Sequence, residues 1–553
     1  MRHAGIVTLC VSVCVLATGC GEDAPDQGTA QAPEAAAGVQ APALTAGSRP
    51  NVLLIVGDDL GYLDLGVYGS EIRTPNVDAL ASSGVILTNF YTSISCQPTR
   101  AMLMSGADNH LAGVGAQGRV VENNPYYRNY LSERVVTLAE RMRAEGYRTY
   151  MAGKWHLGSA EGQTPAERGF DRSFVLLDPG ASHFGDMIGY SAAAPRASYR
   201  DDGAPVESLP ADFYSSIAYT DRVIEYADEA AASDAPFFAY LAYTAPHWPI
   251  HALPEDMEKT RGRYDEGWDV IRERRLARWR ELGFGLQGSE PGFVQSYTPW
   301  DSLSDEAKAV EARKMEAYAA MVERVDAEIG RLVESLRASG ELDNTLILFM
   351  SDNGGEYLGN DWSGMAEYFA TFDNTLENVG RPGSYLMPGP GWGEAATAPF
   401  YLAKGFLAEG GIHVPAFVNG PGLEPGRNDA LIAAFDLAPT FLELAGADPA
   451  TFASNDPDVQ AVTGRSFAAA LRGEDEGRVE AVSFEIGGQR AVRRGDWKAL
   501  HMAPPNGTGS WQLFNLADDP AETNDLADQQ PDLLAELVAE WDRYAAESGV
   551  LMQ

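Results

Sequence analysis

"NVLLIVGDD", residues 51–59, is an apolar run that ends in Gly-Asp-Asp. Apolar at every position from Val52 to Val56 rather than at alternate ones, it reads as a strand of a parallel sheet, buried on both faces and delivering Asp58 and Asp59 at its C-terminal end. The pattern recurs three times: "YRTYMAGKWH" (147–156) ends in Lys154 and His156, "FFAYLAYTAPH" (237–247) in His247, and "NTLILFMSDNGG" (344–355) in Asp352 and Asn353. In an open α/β sheet, ligands bind outside the carboxyl ends of the strands. Runs far apart in the chain are therefore expected to meet at one crevice.

Between the runs lie helices with legible ends. "SERVVTLAERMRAEG" (132–146) predicts a helix capped by Ser132 and stopped by Gly146. A longer helix before Gly340 sets Met315, Tyr318, Val322, Val325, Ile329, Leu332 and Leu336 on one face, to be buried against the sheet. From about residue 475 the style changes to short strand-like runs, then an amphipathic helix from Pro531 carrying Leu534, Leu537, Val538 and Trp541. The expected architecture is α/β, with a large mixed, mostly parallel sheet flanked by helices over 50–474. A smaller α+β domain built on an antiparallel sheet follows over 475–553.

Acidic residues number 79 against 41 basic, a formal charge of −38 that repels polyanions and excludes nucleic acid as a partner. An anionic substrate would need a local cluster of cations. The first twenty residues have the grammar of an export signal: Arg2, an apolar run from Ile6 to Ala17, and small residues before Cys20. "LATGC" resembles the bacterial lipobox, in which the cysteine carries the lipid anchor. Residues 21–49, rich in Ala, Pro, Gln and Gly and without aromatics, are expected to be a disordered tether reaching roughly 30 Å. The protein is thus expected in a bacterial periplasm or on the cell surface, touching membrane only through that lipid. Of the four cysteines, Cys10 and Cys14 would leave with the signal and Cys20 would be acylated. Cys96 alone would remain, in a compartment where thiols oxidise.

The neighbours of Cys96 explain it. In "CQPTRAMLMSG" (96–106), Pro98 fits the first turn of a helix, Cys96 sits at or near its cap, and Arg100 shares its face. A helix start beside a guanidinium is a place for an anion. This stretch resembles the sulfatase signature. In register with it, "GDDLGYLDLGVYG", "TPNVDALA", "GADNHLAGVG", "MAGKWHLG", "APHWP", "SDNGG", "KGFLAEGGIHVP" and "RRGDWKA" all have counterparts in that family, most similarly in bacterial arylsulfatases. Thr99, the "MSG" ending and His413 depart from the commonest family residues.

The resemblance implies an alkaline-phosphatase-like fold and hydrolysis of sulfate monoesters, in particular aryl sulfates, by a Cα-formylglycine that a maturation enzyme makes from Cys96 before folding. One hydroxyl of the hydrated aldehyde would attack sulfur; the other would then expel sulfate by C–O cleavage and regenerate the aldehyde. Asp58, Asp59, Asp352 and Asn353 match the family's metal ligands, with residue 96 beside them. This oxygen-rich set suits Ca²⁺, with Mg²⁺ as the alternative. Lys154 matches the residue that contacts sulfate, His156 the one that takes a proton as the sulfated intermediate collapses, and His247 and Lys404 those that bind sulfate and support the departing alcohol, with Arg100 the guanidinium of the anion site. His110, His183, His251, His413 and His501 read as satisfied or surface residues, with His183 and His251 near the substrate mouth. A formylglycine-dependent phosphonate monoester or phosphodiester hydrolase is the alternative reading. A non-catalytic lipoprotein binding sulfated glycans should instead show a basic groove and missing catalytic groups.

Overall fold

The computed structural model describes residues 44–552, apart from 234, 286–297, 363, 453–457 and 475–476. The export signal with Cys10, Cys14 and Cys20, and residues 21–43 of the tether, lie outside the described residues. The rest of the tether segment, 44–49, lies against the body: Leu44 is buried, the Gly47 amide donates to Glu443 O at 3.0 Å and Arg49 Nη2 to Glu145 O at 2.7 Å.

The main sheet contains β1 (Asn51–Asp58), β2 (Val85–Leu87), β3 (Arg148–Lys154), β4 (Arg172–Leu176), β5 (Tyr199–Asp201), β6 (Ala204–Pro205), β7 (Phe237–Pro246), β8 (Thr345–Ser351), β9 (Ala416–Asn419) and β10 (Gly426–Asn428). Their order is β10-β2-β9-β8-β1-β7-β3-β4-β5-β6. The five central strands, β8 to β4, run parallel, and β9 and β5 pair antiparallel on either side, so the sheet is mixed but mostly parallel, as expected. Its strands feed two cores. Val52, Leu54 and Val56 enter one, and Leu53 and Ile55 the other. That two-sided burial is why the run at 51–59 has no polar alternate. Gly153 lies where β3 meets β7: its φ is 111°, and a Cβ there would stand 1.8 Å from the Ala242 carbonyl oxygen.

The helices include α1 (Cys96–Ser105), α2 (Leu138–Ala144), α3 (Asp305–Ser339) and α4 (Pro531–Glu547). The expected stripe on α3 is buried throughout; Ser304 caps the helix and Gly340, at φ 81°, closes it. α2 starts later than the sequence predicts. Thr137 accepts from the Glu140 amide and Glu140 returns a bond to the Thr137 amide, a capping box that outcompetes Ser132.

At the C-terminus β11 (Val482–Ile486), β12 (Gln489–Arg494), β13 (Trp497–His501) and β14 (Trp511–Asn515) form an antiparallel meander. One face, with Val492, Ala499 and Leu513, takes Leu537, Trp541 and Ala545 of α4; the other sends Phe484, Ala491, Leu500 and Phe514 into the main core. His110, in the loop after α1, helps to tie the two together, with Nδ1 3.0 Å from Asp108 Oδ1 and Nε2 2.8 Å from Glu485 Oε2 on β11.

Burial alone would lower the His110 pKa, but the flanking carboxylates outweigh it and hold the imidazolium up to about 9. The stabilisation is therefore complete below the unfolded value of about 6.5 and is lost as pH rises through about 9. Urea midpoints measured across that window should fall with pH, and His110→Gln should flatten the fall; an unchanged slope in the variant would remove His110 as its source.

Candidate active site

The carboxyl ends of β1, β7, β3 and β8 open into one crevice. Register fixes this: Gly57 pairs with Ser351 of β8, and Asp58 with Pro246 of β7. Asp58, Asp59, His247, Lys154, His156, Asp352 and Asn353 are thereby delivered to the same edge, all buried. Asp59 and His156 turn off their strands with φ of 66° and 56°, a left-handed backbone that costs about 1–3 kcal/mol per residue. Between Lys154 and His156, Trp155 goes to the opposite side, where its indole donates to Gln163 O at 2.9 Å.

α1 brings the thiol. Every residue of this helix is buried, and Cys96 stands at its first turn after Ser95. The Cys96 thiol donates to Asp58 Oδ1 at 3.3 Å and lies 3.7 Å from Asp59 Oδ1. Burial, with Asp352 and Asp58 alongside, raises its pKa well above the usual thiol range, so the residue is a protonated thiol here and a poor nucleophile as it stands. Arg100, one turn on, donates from Nε and Nη2 to Asp352 Oδ2 at 3.0 and 2.7 Å, and from Nη1 to the Lys154 carbonyl at 2.8 Å.

Two lysines complete the crevice. Lys154 Nζ lies 2.6 Å from Asp58 Oδ2, and Lys404 Nζ lies 2.7 Å from Asp59 Oδ2 and 3.2 Å from Glu356 Oε2. The charge is thus four carboxylates, Asp58, Asp59, Asp352 and Glu356, against three cations, Arg100, Lys154 and Lys404, each already engaged. Burial, with Asp352 and Asp59 nearby, pushes the Asp58 carboxyl up to about 7 despite Lys154 and Arg100. An anion entering such a site meets no spare positive charge. A divalent cation would supply it, and the donors fit one: Asn353 Nδ2 donates to Asp59 Oδ1 at 2.8 Å while Asn353 Oδ1 is buried without a partner. Among the described residues, Asp58, Asp59, Cys96 and His247 also place one potential ligand atom each within 4.8 Å of one another. Carboxylate and amide oxygens dominate the set, which favours a hard cation.

His247 and His156 are neutral. Burial first, then Lys404 and Lys154, depresses His247; burial, Lys154 and Arg100 depress His156. His247 Nδ1 is 2.6 Å from the Trp248 carbonyl, which can only accept, so the proton sits on Nδ1 and Nε2 faces Asp59 Oδ2 at 3.7 Å. His156 Nδ1 is buried without a partner. His183 is buried outside this cluster, with Nε2 3.1 Å from the His247 carbonyl, and His251 bonds Ser384 O at 2.8 Å; both support the backbone around His247. His413 contacts Glu409 and Thr88 O, so it braces the segment after Lys404.

Two residues escape the sequence reading. Glu356 joins Lys404 to the Trp248 indole, which donates to Glu356 Oε2 at 3.1 Å; its only signal is a carboxylate closing "SDNGGE". Gln489, at the start of β12, clamps the Lys404 segment: its Nε2 donates to Gly405 O at 2.8 Å and its Oε1 accepts from the Leu407 amide at 2.9 Å.

Residues 50–447 match a family model described as Sulfatase. The chain is 40% identical to an uncharacterized sulfatase of Schizosaccharomyces pombe over 527 residues, covering 91% of this chain and 94% of that one. It is 39% identical to an arylsulfatase of Klebsiella aerogenes over 408 residues, covering 72% and 88%. Among solved structures it resembles Ps i-CgsB, crystallised with k-i-k-neocarrahexaose, at TM-score 0.65 and 26% identity, covering 90% of this chain and 93% of that one.

Gln489→Ala should free the Lys404 segment and lower turnover of a sulfate ester by about one to two orders of magnitude, the cost of a misplaced group. The melting temperature should move by only a few degrees. Steady-state kinetics beside a thermal melt checks this; full activity would show that the clamp is dispensable.

Proposed function

The chain belongs to the sulfatase family and is a sulfuric ester hydrolase, and from that premise we propose that it cleaves aryl sulfate monoesters to a phenol and sulfate, using a formylglycine made from Cys96 and a calcium ion. The observation that supports this reading best is the position of the thiol. It stands at the start of a buried helix, between two carboxylates, with Lys154 and Lys404 on either side. A thiol held protonated there gains its chemistry by conversion, and matured residue 96 supplies the nucleophilic oxygen. Asp58, Asp59, Asp352 and Asn353 would hold the cation, which would supply positive charge for the sulfate and acidity for that nucleophile.

The chain's own groups do the rest. Lys154 and Lys404, paired here with Asp58 and Asp59, would be free to turn to the sulfate oxygens where those carboxylates held the cation instead. His247 Nε2 faces the crevice as an acceptor; the negative charge of an arriving ester favours its protonation, and the proton then passes to the departing oxygen. His156, neutral and with Nδ1 unpartnered, is the base for release of sulfate. Residues 1–20 support export to a bacterial periplasm or cell surface with lipid on Cys20. The burial of Cys96 supports a maturation enzyme acting on the unfolded chain.

The deciding experiment measures turnover on a panel of sulfate, phosphate and phosphonate monoesters and a phosphodiester, with protein whose residue-96 peptide has lost about 18 Da relative to free cysteine. Aryl sulfates should lead the panel. A preference for phosphorus esters would replace this reading with the alternative hydrolase. Separately, exhaustive chelation should abolish turnover, and Ca²⁺ should restore it better than Zn²⁺; unchanged activity in metal-free protein would end the metal assignment.

A further inference from the structure

Beside His247 the wall of the crevice is aromatic. His247 stacks on Trp248 with ring centroids 4.8 Å apart and 27° between planes, and Trp248 meets the Tyr190 ring at 5.0 Å. Gly180 lies between the ends of this row: a Cβ there would stand 3.2 Å from His247 Cε1 and 3.6 Å from Tyr190 Cδ2. The imidazole and the tyrosine therefore both border the Gly180 backbone, where even a Cβ would press on His247. Behind them, Met365, Phe369, Tyr385 and Met387 form a small apolar core with Trp248, separate from the two main ones.

Tyr190 is not placed there loosely. It sits on a short hairpin, Ile188–Ser191 paired with Ala194–Arg196, and the Gly189 carbonyl accepts from two tyrosine hydroxyls, Tyr368 at 3.0 Å and Tyr385 at 2.9 Å. The polar ends of the aromatic group are thus spent internally, since the Trp248 indole donates to Glu356. Tyr190 differs: its ring is half-buried, and its hydroxyl makes no hydrogen bond among the described residues. Burial lifts that hydroxyl to about 12, with Lys404 pulling it down and Cys96, Glu356 and Asp59 pushing it up.

We propose that Tyr190 is a specificity-determining residue whose ring packs against the alcohol half of the ester, selecting esters whose leaving group is a flat aromatic ring. This deepens the function proposed above and rests on it. The leaving oxygen departs toward His247, so the group attached to it must lie along the same wall. A sugar there would need several hydrogen-bond partners, and with Trp248, Tyr368 and Tyr385 already committed the aromatic group offers it the Tyr190 hydroxyl alone; an aromatic ring needs only faces and edges.

The test uses the full, matured chain and compares kcat and KM for an aryl sulfate, an alkyl sulfate and a monosaccharide sulfate in the wild type, Tyr190→Ala and Tyr190→Phe. Tyr190→Ala should raise KM for the aryl ester about tenfold with kcat little changed, because a stacking contact binds ground and transition states alike. The alkyl and sugar esters should change less than about twofold, and Tyr190→Phe should behave as wild type toward the aryl ester. Equal losses on all three esters, or a Phe variant as impaired as Ala, would overturn the assignment while leaving the sulfatase reading intact. A wild type that turns over the sugar ester best would overturn the aryl reading and this inference with it.

Discussion

Four carboxylates share one dry crevice, and the rest of the site is built around keeping them there. Like charges so close repel strongly, and burial removes the water that would screen them. The chain answers with Arg100 across Asp352, Lys154 on Asp58 and Lys404 between Asp59 and Glu356. Each cation comes from a different segment, so the pairing that makes the carboxylates tolerable also pins α1, β3 and the 404 segment to the ends of β1 and β8. Neutralisation stops one charge short, and burial, with Asp352 and Asp59 alongside, raises the Asp58 pKa. A site completed by one divalent cation becomes receptive to an anion.

The sheet makes this arrangement possible because parallel strands end together. With Gly57 beside Ser351 and Asp58 beside Pro246, short polar tails of three strands emerge at the same level. This is also why so much was legible in the sequence. The runs at 51, 147, 237 and 344 each carry an apolar strand and its chemistry in one uninterrupted stretch, and a parallel sheet needs no further information to bring them together. The helix at 96 was legible for the same local reason, with Pro98 and Arg100 at helical spacing from the cysteine.

What the sequence hid depends on distant partners. Gln489 is an ordinary polar residue in a hairpin until its amide meets Gly405 and Leu407, and no periodicity marks it. Glu356 looks like the end of a glycine turn, yet it joins Lys404 to Trp248. Tyr190 lies in a hairpin too short for an alternating pattern. The start of α2 was a contest between two caps, and Thr137 prevailed because Glu140, three residues on, returns its bond. Cys96, in contrast, stood out by isolation: it is the one cysteine after residue 20, and a lone thiol between Ser95 and a helix-starting Gln-Pro invites a reason.

The cage around Cys96 is assembled from parts that leave the ribosome far apart in time. Asp59, beside the thiol, and Lys404, which pairs with it, are separated by 345 residues, and the clamp on Lys404 comes later still, at Gln489. At ordinary synthesis rates that separation lasts roughly 20–70 s. Until residue 404 has been made the enclosure of Cys96 is incomplete; in the folded chain the residue is 1% exposed. Long-range topology thus acts as a clock, holding a position open to other proteins early in the life of the chain and closing it once the last hundred residues have arrived.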